Sequence, residues 1–246
     1  IGNFHIISRF VRKLKRKKCK IIILVHDLHS LRFGHNIADE FDGYLKYADV
    51  IIVHNDKMKE LFVNNGYKEK NIVCLKIFDY LLKVQENDKL YSKTSKTVVL
   101  AGVLDRERSP YIYQLGKVDN VIFNLYGPLY DHSLDEYSNI NYMGFFSQTD
   151  LPHHLNEGFG LIWDGNSLNS CTGAMGDYLK INNPHKTSLY LASGIPVFIW
   201  SKAALADFVK SNDVGFVIDK ISDIESIFNE LDEKKYIELK ENVANI

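Results

Sequence analysis

The stretch NNPHKTSLYLASGIPVF at 182–198 joins a polar, cationic entrance to an apolar helix that stops at Gly194. Pro184 suits the first position of a helix. Lys186 would then stand in the first turn, where its positive charge opposes the helix dipole. An anion held by Lys186 and by the free N–H groups of the helix start would remove this conflict. The stretch therefore predicts an anion site at the helix entrance, with Asn182 and Lys186, four residues apart, as its side chains.

A second cation follows a glycine. Gly102 comes directly after the apolar run 97–101, and Arg106 lies four residues later. Glycine allows a ligand to approach the backbone, and the guanidinium fork matches a phosphate. The alternative is that DRER at 105–108 is a solvated turn. The spacing alone does not decide between these two interpretations.

Two more strand ends carry polar side chains. Tyr126 ends an apolar run before Gly127, and it could stack on a base or bond a sugar; a buried tyrosine at a strand end is the alternative. Asp164 follows the run 160–163 and opens a small, polar stretch over 164–180. Such a stretch is long for a loop in a compact domain, and this length favours a functional role. The alternative is a disordered surface loop.

A histidine–aspartate pair, His26 and Asp27, follows the run 21–25. At the carboxyl end of a strand this pair could transfer a proton or bind a substrate hydroxyl. The alternative is structural, with Asp27 capping the next turn and His26 bonded to the backbone. Asp27 is the general base candidate.

The carboxyl ends of parallel strands meet at one edge of a sheet, so most of these side chains are expected to converge. The converging group is Arg106, Tyr126, Asp164, Asn182 and Lys186. A diphosphate meeting two cations and a helix start is the simplest ligand for it. No pair of carboxylates stands at a nearby strand end, because Asp177 lies too far along from Asp164. The site is therefore expected to need no metal.

Eight short apolar runs predict the strands that position these groups. They are 20–25, 49–53, 71–75, 97–101, 120–125, 160–163, 195–200 and 214–218. Helical patterns separate them at 4–18, 36–47, 56–66, 148–157, 184–193, 202–211 and 222–244. Near-continuous Val, Ile and Leu is typical of strands covered on both faces. The alternation predicts an α/β fold with doubly wound parallel sheets.

The polar stretch 83–96 has no apolar period and predicts a linker. It divides the chain into an N-terminal domain at 1–82 and a C-terminal domain at 97–246. The first part has only three clear strands and opens on a helix, so we expect its first strands to be missing.

Composition excludes several classes. The 246 residues are 46% hydrophobic and 25% charged, as in ordinary globular proteins, and a net charge of −1 does not favour nucleic acid. Three scattered cysteines indicate reduced thiols rather than a zinc site, and no signal peptide or membrane span is evident. We expect a cytoplasmic protein. The basic run at 12–20 is either solvated or a peripheral contact with the inner face of a membrane.

Six stretches in this order and spacing resemble bacterial β-1,6-galactofuranosyltransferases and the glucosyltransferases that extend sugars on streptococcal adhesins. They are HDLHSLR, LAGVLDR, FNLYGP, GFFSQTDLP, GFGLIWDG and NNPHKTSLYLASGIPVF. The resemblance covers essentially the whole chain, and its last stretch is the most specific.

This resemblance implies a GT-B fold of two Rossmann-like domains. The nucleotide-sugar lies mostly on the C-terminal domain and the acceptor mostly on the N-terminal one. It implies that Arg106 and Lys186 hold UDP phosphates and that Asn182 and the Gly102 loop line the same pocket, without a bound metal. One departure is Leu189, which stands where many GT-B enzymes have a ribose-binding Glu.

The expected function is transfer of a hexose (galactofuranose, glucose or galactose) from a UDP-sugar to a glycan or lipid-linked oligosaccharide, with no cofactor besides the donor. A homo-oligomer is a further expectation. The alternative is a non-catalytic sugar-nucleotide-binding subunit of a glycosylation complex. An oxidoreductase or epimerase is disfavoured because no GxGxxG follows a strand.

Overall fold

The computed structural model describes residues 4–82, 95–155 and 157–246. The chain forms two compact units, the first comprising 1–78 with 180–183 and the second comprising 79–179 with 184–246. Most of the predicted linker, residues 83–94, lies outside the described residues. The sequence-based division places 180–183 in the C-terminal domain, whereas in the structure this segment packs with the first unit.

The first unit contains a parallel sheet of three strands in the order β1-β2-β3, the order in which they occur along the chain. Its strands are β1 (Ile22–Leu24), β2 (Val50–Val53) and β3 (Ile72–Cys74). Its helices are α1 (Phe4–Arg16), α2 (His29–Arg32), α3 (Ala38–Phe41) and α4 (Asp56–Asn64), with 3₁₀ turns at Leu45–Tyr47 and Glu69–Asn71.

One predicted helix of the first unit, 36–47, is wrong in its extent. The structure has the single turn α3 and a separate 3₁₀ turn. Gly43 lies between the two, where an added Cβ would come 2.5 Å from the carbonyl oxygen of Asp39. A side chain would not fit at this position without a shift, and glycine is a poor helix former.

The second unit contains a parallel sheet of six strands in the order β6-β5-β4-β7-β8-β9. Its strands are β4 (Thr97–Ala101), β5 (Ile122–Tyr126), β6 (Ile140–Gly144), β7 (Phe159–Ile162), β8 (Val197–Trp200) and β9 (Gly215–Ile218). Its helices are α5 (Leu151–His154), α6 (Gly173–Leu179), α7 (His185–Ala192), α8 (Ala206–Ser211), α9 (Asp223–Glu230) and α10 (Glu233–Ala244), with 3₁₀ turns at Pro110–Lys117 and His132–Glu136. The order runs outward from β4 and then from β7, as in a doubly wound sheet.

Several elements of this unit differ from the sequence-based prediction. The helix predicted over 148–157 is only the single turn α5. Strand β6 is an additional edge strand, with most of its residues exposed. Helix α6 occupies part of the stretch 164–180 that was expected to be a loop. The helix predicted over 222–244 is two helices, and Asp232 caps the second by accepting from the N–H of Lys235 at 2.7 Å.

The core of the second unit is a cluster of aromatic rings between the sheet and its helices. Phe159 of β7 lies 4.8 Å from Phe198 of β8 and 5.5 Å from Tyr236 of α10, measured between ring centroids. All three side chains are fully buried.

Among the described helices, none is both long and apolar enough to cross a lipid bilayer.

Candidate functional site

The candidate site lies at the carboxyl ends of β4 and β7, where the strand order of the six-stranded sheet reverses. Pairing between these strands stops at Val99↔Gly160, although β7 continues to Ile162. On its other side β4 stays paired with β5 as far as Ala101↔Tyr126. A crevice opens where two such strands part, and doubly wound sheets bind their ligands there.

Two glycines bring backbone to the rim of this crevice. Gly102 and Gly127, just past β4 and β5, both have φ of +151°, a conformation that favours glycine. A Cβ on Gly127 would lie 1.7 Å from the carbonyl oxygen of Gly102, so the two turns touch through their backbones. On Gly102 a Cβ would lie 3.3 Å from Cε of Lys186. The lysine therefore lies directly against the glycine turn after β4.

Lys186 is paired with Asp164, the acid that follows β7. Its Nζ lies 3.5 Å from Oδ1 of Asp164, and the two side chains are 30% and 18% exposed. This distance is at the long end for a charge-assisted bond. An ammonium has three N–H donors, so Lys186 can also serve a second anion.

The first turn of α7 supplies further donors. The helix begins at His185, with Pro184 as the flanking residue rather than the first helical one, and no side chain caps the helix start. The hydroxyl of Thr187 is buried and has no hydrogen-bond partner among the described residues. These donors lie where the sequence predicts an anion site, and Thr187 belongs to the same turn. Sequence reasoning missed it because a threonine in an apolar helix carries no signal of its own.

Arg106 lies in a different environment from Lys186. Its side chain is 65% exposed, its Nη2 lies 3.7 Å from Oδ2 of Asp131, and its guanidinium carbon is 4.3 Å from the ring centre of Tyr113. The structure thus groups Gly102, Asp164 and Lys186. Arg106 is exposed and contacts Asp131 and Tyr113 instead.

Tyr126 has the contacts of a core residue. It is 5% exposed, and its hydroxyl donates to the carbonyl oxygen of His154 at 3.3 Å. Burial, and to a smaller extent the charge of Glu157, raises the pKa of the Tyr126 phenol above its usual range. The hydroxyl therefore stays protonated. A contact of Tyr126 with a ligand stays a prediction.

Residues 180–183 are fixed in the first unit by a buried asparagine that sequence reasoning passed over. The backbone N–H of Asn183 donates to Nδ1 of His54 at 3.0 Å, and its side-chain amide donates to the carbonyl oxygens of His54 and Lys76. Asn55 donates to Oδ1 of Asn183 at 2.6 Å. Because these partners are more than 100 positions away in sequence, no local pattern indicates them.

Asn182, the predicted ligand of the anion, precedes that anchor. The structure places it with 180–183 in the first unit, and its Oδ1 is buried without a hydrogen-bond partner among the described residues. An unsatisfied buried oxygen costs free energy, so a donor that reaches it would be favoured.

Asp27 lies in the first unit, at the end of β1. Its Oδ2 is 2.5 Å from Nη1 of Arg32, and the two side chains are 28% and 33% exposed. The following turn is fixed by Glu40, which is fully buried and accepts from the N–H groups of His29 and Ser30 at 3.1 Å each. Glu40 is a second residue that the sequence did not reveal.

Across the described residues, no cluster of three His, Cys, Asp or Glu could hold a metal ion.

Comparison with known proteins identifies the family. The model of the "Glucosyltransferase 3-like, C-terminal domain" matches residues 98–246, and that of the "Glucosyltransferase 3-like, N-terminal domain" matches 3–77. The chain is 38% identical over 246 residues to the β-1,6-galactofuranosyltransferase WbbI of Escherichia coli K12, covering 99% of this chain and 70% of that protein. It is 27% identical over 242 residues to glucosyltransferase 3 of Streptococcus gordonii, covering 95% and 67%.

Solved structures share the fold. Anabaena HepE in complex with UDP and glucose has a TM-score of 0.62 at 14% identity, covering 99% of this chain and 70% of that chain. The pneumococcal O-GlcNAc transferase GtfA in complex with UDP and GlcNAc has a TM-score of 0.57 at 13% identity, covering 96% and 50%. The predicted resemblance and fold class are confirmed. This chain belongs to the glucosyltransferase 3-like family and is a glycosyltransferase with the GT-B fold.

Proposed function

We propose that this glycosyltransferase transfers a hexose from a UDP-sugar to a hydroxyl of a glycan acceptor, with the donor diphosphate at the start of α7. The observation that carries the proposal is the position of Lys186. It lies in the first turn of an uncapped helix, against the glycine turn at 102 and 3.5 Å from Asp164, in the crevice where the sheet order reverses.

The chemistry at this position is stabilisation of a leaving group. As the bond between the sugar and the diphosphate breaks, negative charge grows on the diphosphate oxygens. Lys186 and the N–H groups of the first turn of α7 are fixed donors for that charge, and Arg106 adds an exposed guanidinium. Donors that are already in place need little reorganisation during the reaction, so the barrier falls.

Asp164 has a separate role in this proposal. Its carboxylate holds Lys186 at 3.5 Å and is 18% exposed. A carboxylate repels phosphate oxygens, so we assign it to a hydroxyl of the donor rather than to the diphosphate. It would orient Lys186 toward the phosphates while accepting a hydrogen bond from the sugar or ribose.

Asp27 is our candidate for the general base that removes the acceptor proton. The Oδ2 atom of Asp27 lies 2.5 Å from Nη1 of Arg32. The turn held by Glu40 fixes the backbone that follows Asp27. Both features restrict the orientation of the carboxylate.

The relatives support the class of donor. WbbI is named a galactofuranosyltransferase and the Streptococcus gordonii relative is named a glucosyltransferase, and HepE has been solved with UDP-glucose. These names describe those proteins. For this chain they favour a UDP-hexose over other nucleotide-sugars, and they leave galactofuranose, glucose and galactose to experiment.

We also propose that α1 contacts the inner face of a membrane, where a lipid-linked acceptor would lie. Ile6 and Phe10 are 60% and 62% exposed on this helix, beside exposed Arg9, Arg12 and Lys13. Apolar side chains flanked by cations suit an anionic lipid surface. Sedimentation with vesicles should detect binding to phosphatidylglycerol but not to phosphatidylcholine, and Phe10→Ser should weaken it. Equal sedimentation with both lipids would contradict the proposal.

The donor is tested by a nucleotide panel. UDP should raise the melting temperature of the protein more than GDP, dTDP or NAD does, because binding to the folded state alone stabilises it. NMR analysis of products formed from UDP-glucose, UDP-galactose and UDP-galactofuranose then identifies the sugar. Stabilisation by another nucleotide but not by UDP would overturn the donor assignment.

A further inference from the structure

Tyr190 joins the helix that carries Lys186 to the strand that carries Gly102. Its side chain is fully buried, and its hydroxyl accepts a hydrogen bond from the backbone N–H of Ala101 at 2.7 Å. Ala101 is the last residue of β4 and lies beyond the last pair that β4 forms with β7. The tyrosine therefore satisfies a backbone donor at the point where the two strands part, where no strand partner satisfies it.

The ring of Tyr190 needs a glycine beneath it. A Cβ on Gly160 of β7 would lie 2.2 Å from the ring of Tyr190, far closer than atoms can approach. The side chain thus crosses the backbone of β7 at Gly160 to reach the end of β4. This fixes how closely α7 can pack on the sheet at the crevice.

Lys186 and Tyr190 are four residues apart and lie on the same face of α7. Tyr190 contacts Ala101, while Lys186 packs against Gly102, the next residue. Two consecutive residues at the end of β4 are thus held by two side chains one helical turn apart. If the tyrosine contact is lost, α7 loses its hydrogen bond to the residue that precedes the glycine turn.

We propose that Tyr190 is a positioning residue that sets the distance between Lys186 and the Gly102 turn, and so tunes the affinity of the site for the donor diphosphate. The inference rests on the proposed function, since it concerns the same site. Tyr190 acts through the placement of α7 and contacts no reacting atom.

The chain contains a matched control. The hydroxyl of Tyr236, on α10, accepts from the backbone N–H of Gly158 at 3.1 Å. Tyr236 is also fully buried, and Gly158 precedes β7, at the amino edge of the same sheet. Tyr190→Phe and Tyr236→Phe therefore remove the same kind of bond at opposite edges of the sheet.

Isothermal titration with UDP and thermal unfolding of both variants test the proposal. We expect both variants to melt at a similarly lowered temperature, since each leaves a buried N–H without its acceptor. Tyr190→Phe should bind UDP roughly 3- to 10-fold more weakly than the parent, whereas Tyr236→Phe should bind it as the parent does. Equal UDP affinity in the two variants would overturn the proposal.

A double-mutant cycle with Lys186→Ala distinguishes placement of Lys186 from a general structural role, because only the former makes the two effects on UDP affinity depend on each other. If Tyr190 acts by placing Lys186, Tyr190→Phe should lower UDP affinity much less in the Lys186→Ala background than in the parent. Full additivity would contradict the inference. Failure of the parent to bind UDP would instead contradict the proposed function, so the two failures are distinguishable.

Discussion

Each unit of the protein has a cation–carboxylate pair just past the end of a parallel strand, and the two pairs are built differently. In the first unit, Arg32 and Asp27 approach to 2.5 Å. In the second unit, Lys186 and Asp164 are 3.5 Å apart. The exposure of the four side chains is similar, between 18% and 33%, so the difference lies in geometry rather than in burial.

The hydrogen bonding around the two pairs also differs. The turn after Asp27 is closed by Glu40, whose carboxylate accepts from two backbone N–H groups. The turn before Lys186 has no capping side chain, and the hydroxyl of Thr187 is without a partner among the described residues. We infer that the first pair is already satisfied and holds a carboxylate in place, whereas the second has donors left for an incoming anion.

Breaking the first pair is expected to have the largest effect on activity. Asp27→Asn should lower the rate of sugar transfer by roughly 10²- to 10⁴-fold, since the amide cannot accept the acceptor proton. UDP affinity should stay unchanged because the diphosphate is assigned to the second unit. Steady-state transfer and UDP titration measure the two quantities, and Asp39→Asn, an exposed acid of the same unit, is the control. Transfer at the parental rate would mean that Asp27 serves the structure only.

The second pair gives the next largest effect. Lys186→Ala should weaken UDP binding by roughly 10- to 150-fold, the equivalent of losing a charge-assisted contact of about 1.5–3 kcal/mol. Lys210→Ala removes an exposed lysine from the last turn of α8 and should bind UDP normally. If both variants titrate like the parent, the diphosphate does not lie at α7.

Replacing Arg106 should have a smaller effect on UDP affinity, because its side chain is more exposed than that of Lys186. Arg106→Ala should weaken UDP binding by roughly 3- to 10-fold, and Arg106→Lys should not restore it, since lysine offers a point charge in place of a fork. Arg108→Ala, an exposed neighbour, serves as the control in the same titration. Full affinity in Arg106→Lys would count against bidentate binding.

The smallest expected effect is that of removing divalent cations. If Lys186, Arg106 and the start of α7 supply the positive charge, transfer should continue at an unchanged rate in excess EDTA. A rate abolished by EDTA and restored by Mn²⁺ would contradict metal independence. Asp164 would then be the first carboxylate to mutate.

The contrast between the units also shows what the sequence could reveal. Strand β4 was predicted with its observed bounds, 97–101, because a continuous apolar run marks a strand covered on both faces. Strand β6 was missed because Asn141 interrupts its apolar residues, as an edge strand with exposed Tyr142 and Met143 allows. Helix α6 was missed because its glycines imitate a loop.

Candidate site residues could be recognised from the sequence only where their own neighbours in the chain provided the signal. Lys186 became a candidate from the sequence alone because its charge conflicts with the helix in which it stands. Asn183, Glu40 and Tyr190 carry no such local conflict, since their partners lie 10 to 129 positions away in sequence. Only the fold brings those donors and acceptors together.

A crystal structure of the protein with UDP tests the position of the diphosphate most directly. We predict that an oxygen of the diphosphate lies within about 3.2 Å of Nζ of Lys186 and of a backbone N–H in the first turn of α7. The Gly102 turn should border the same phosphate. A diphosphate bound away from this turn, with Lys186 still paired only to Asp164, would contradict the central claim.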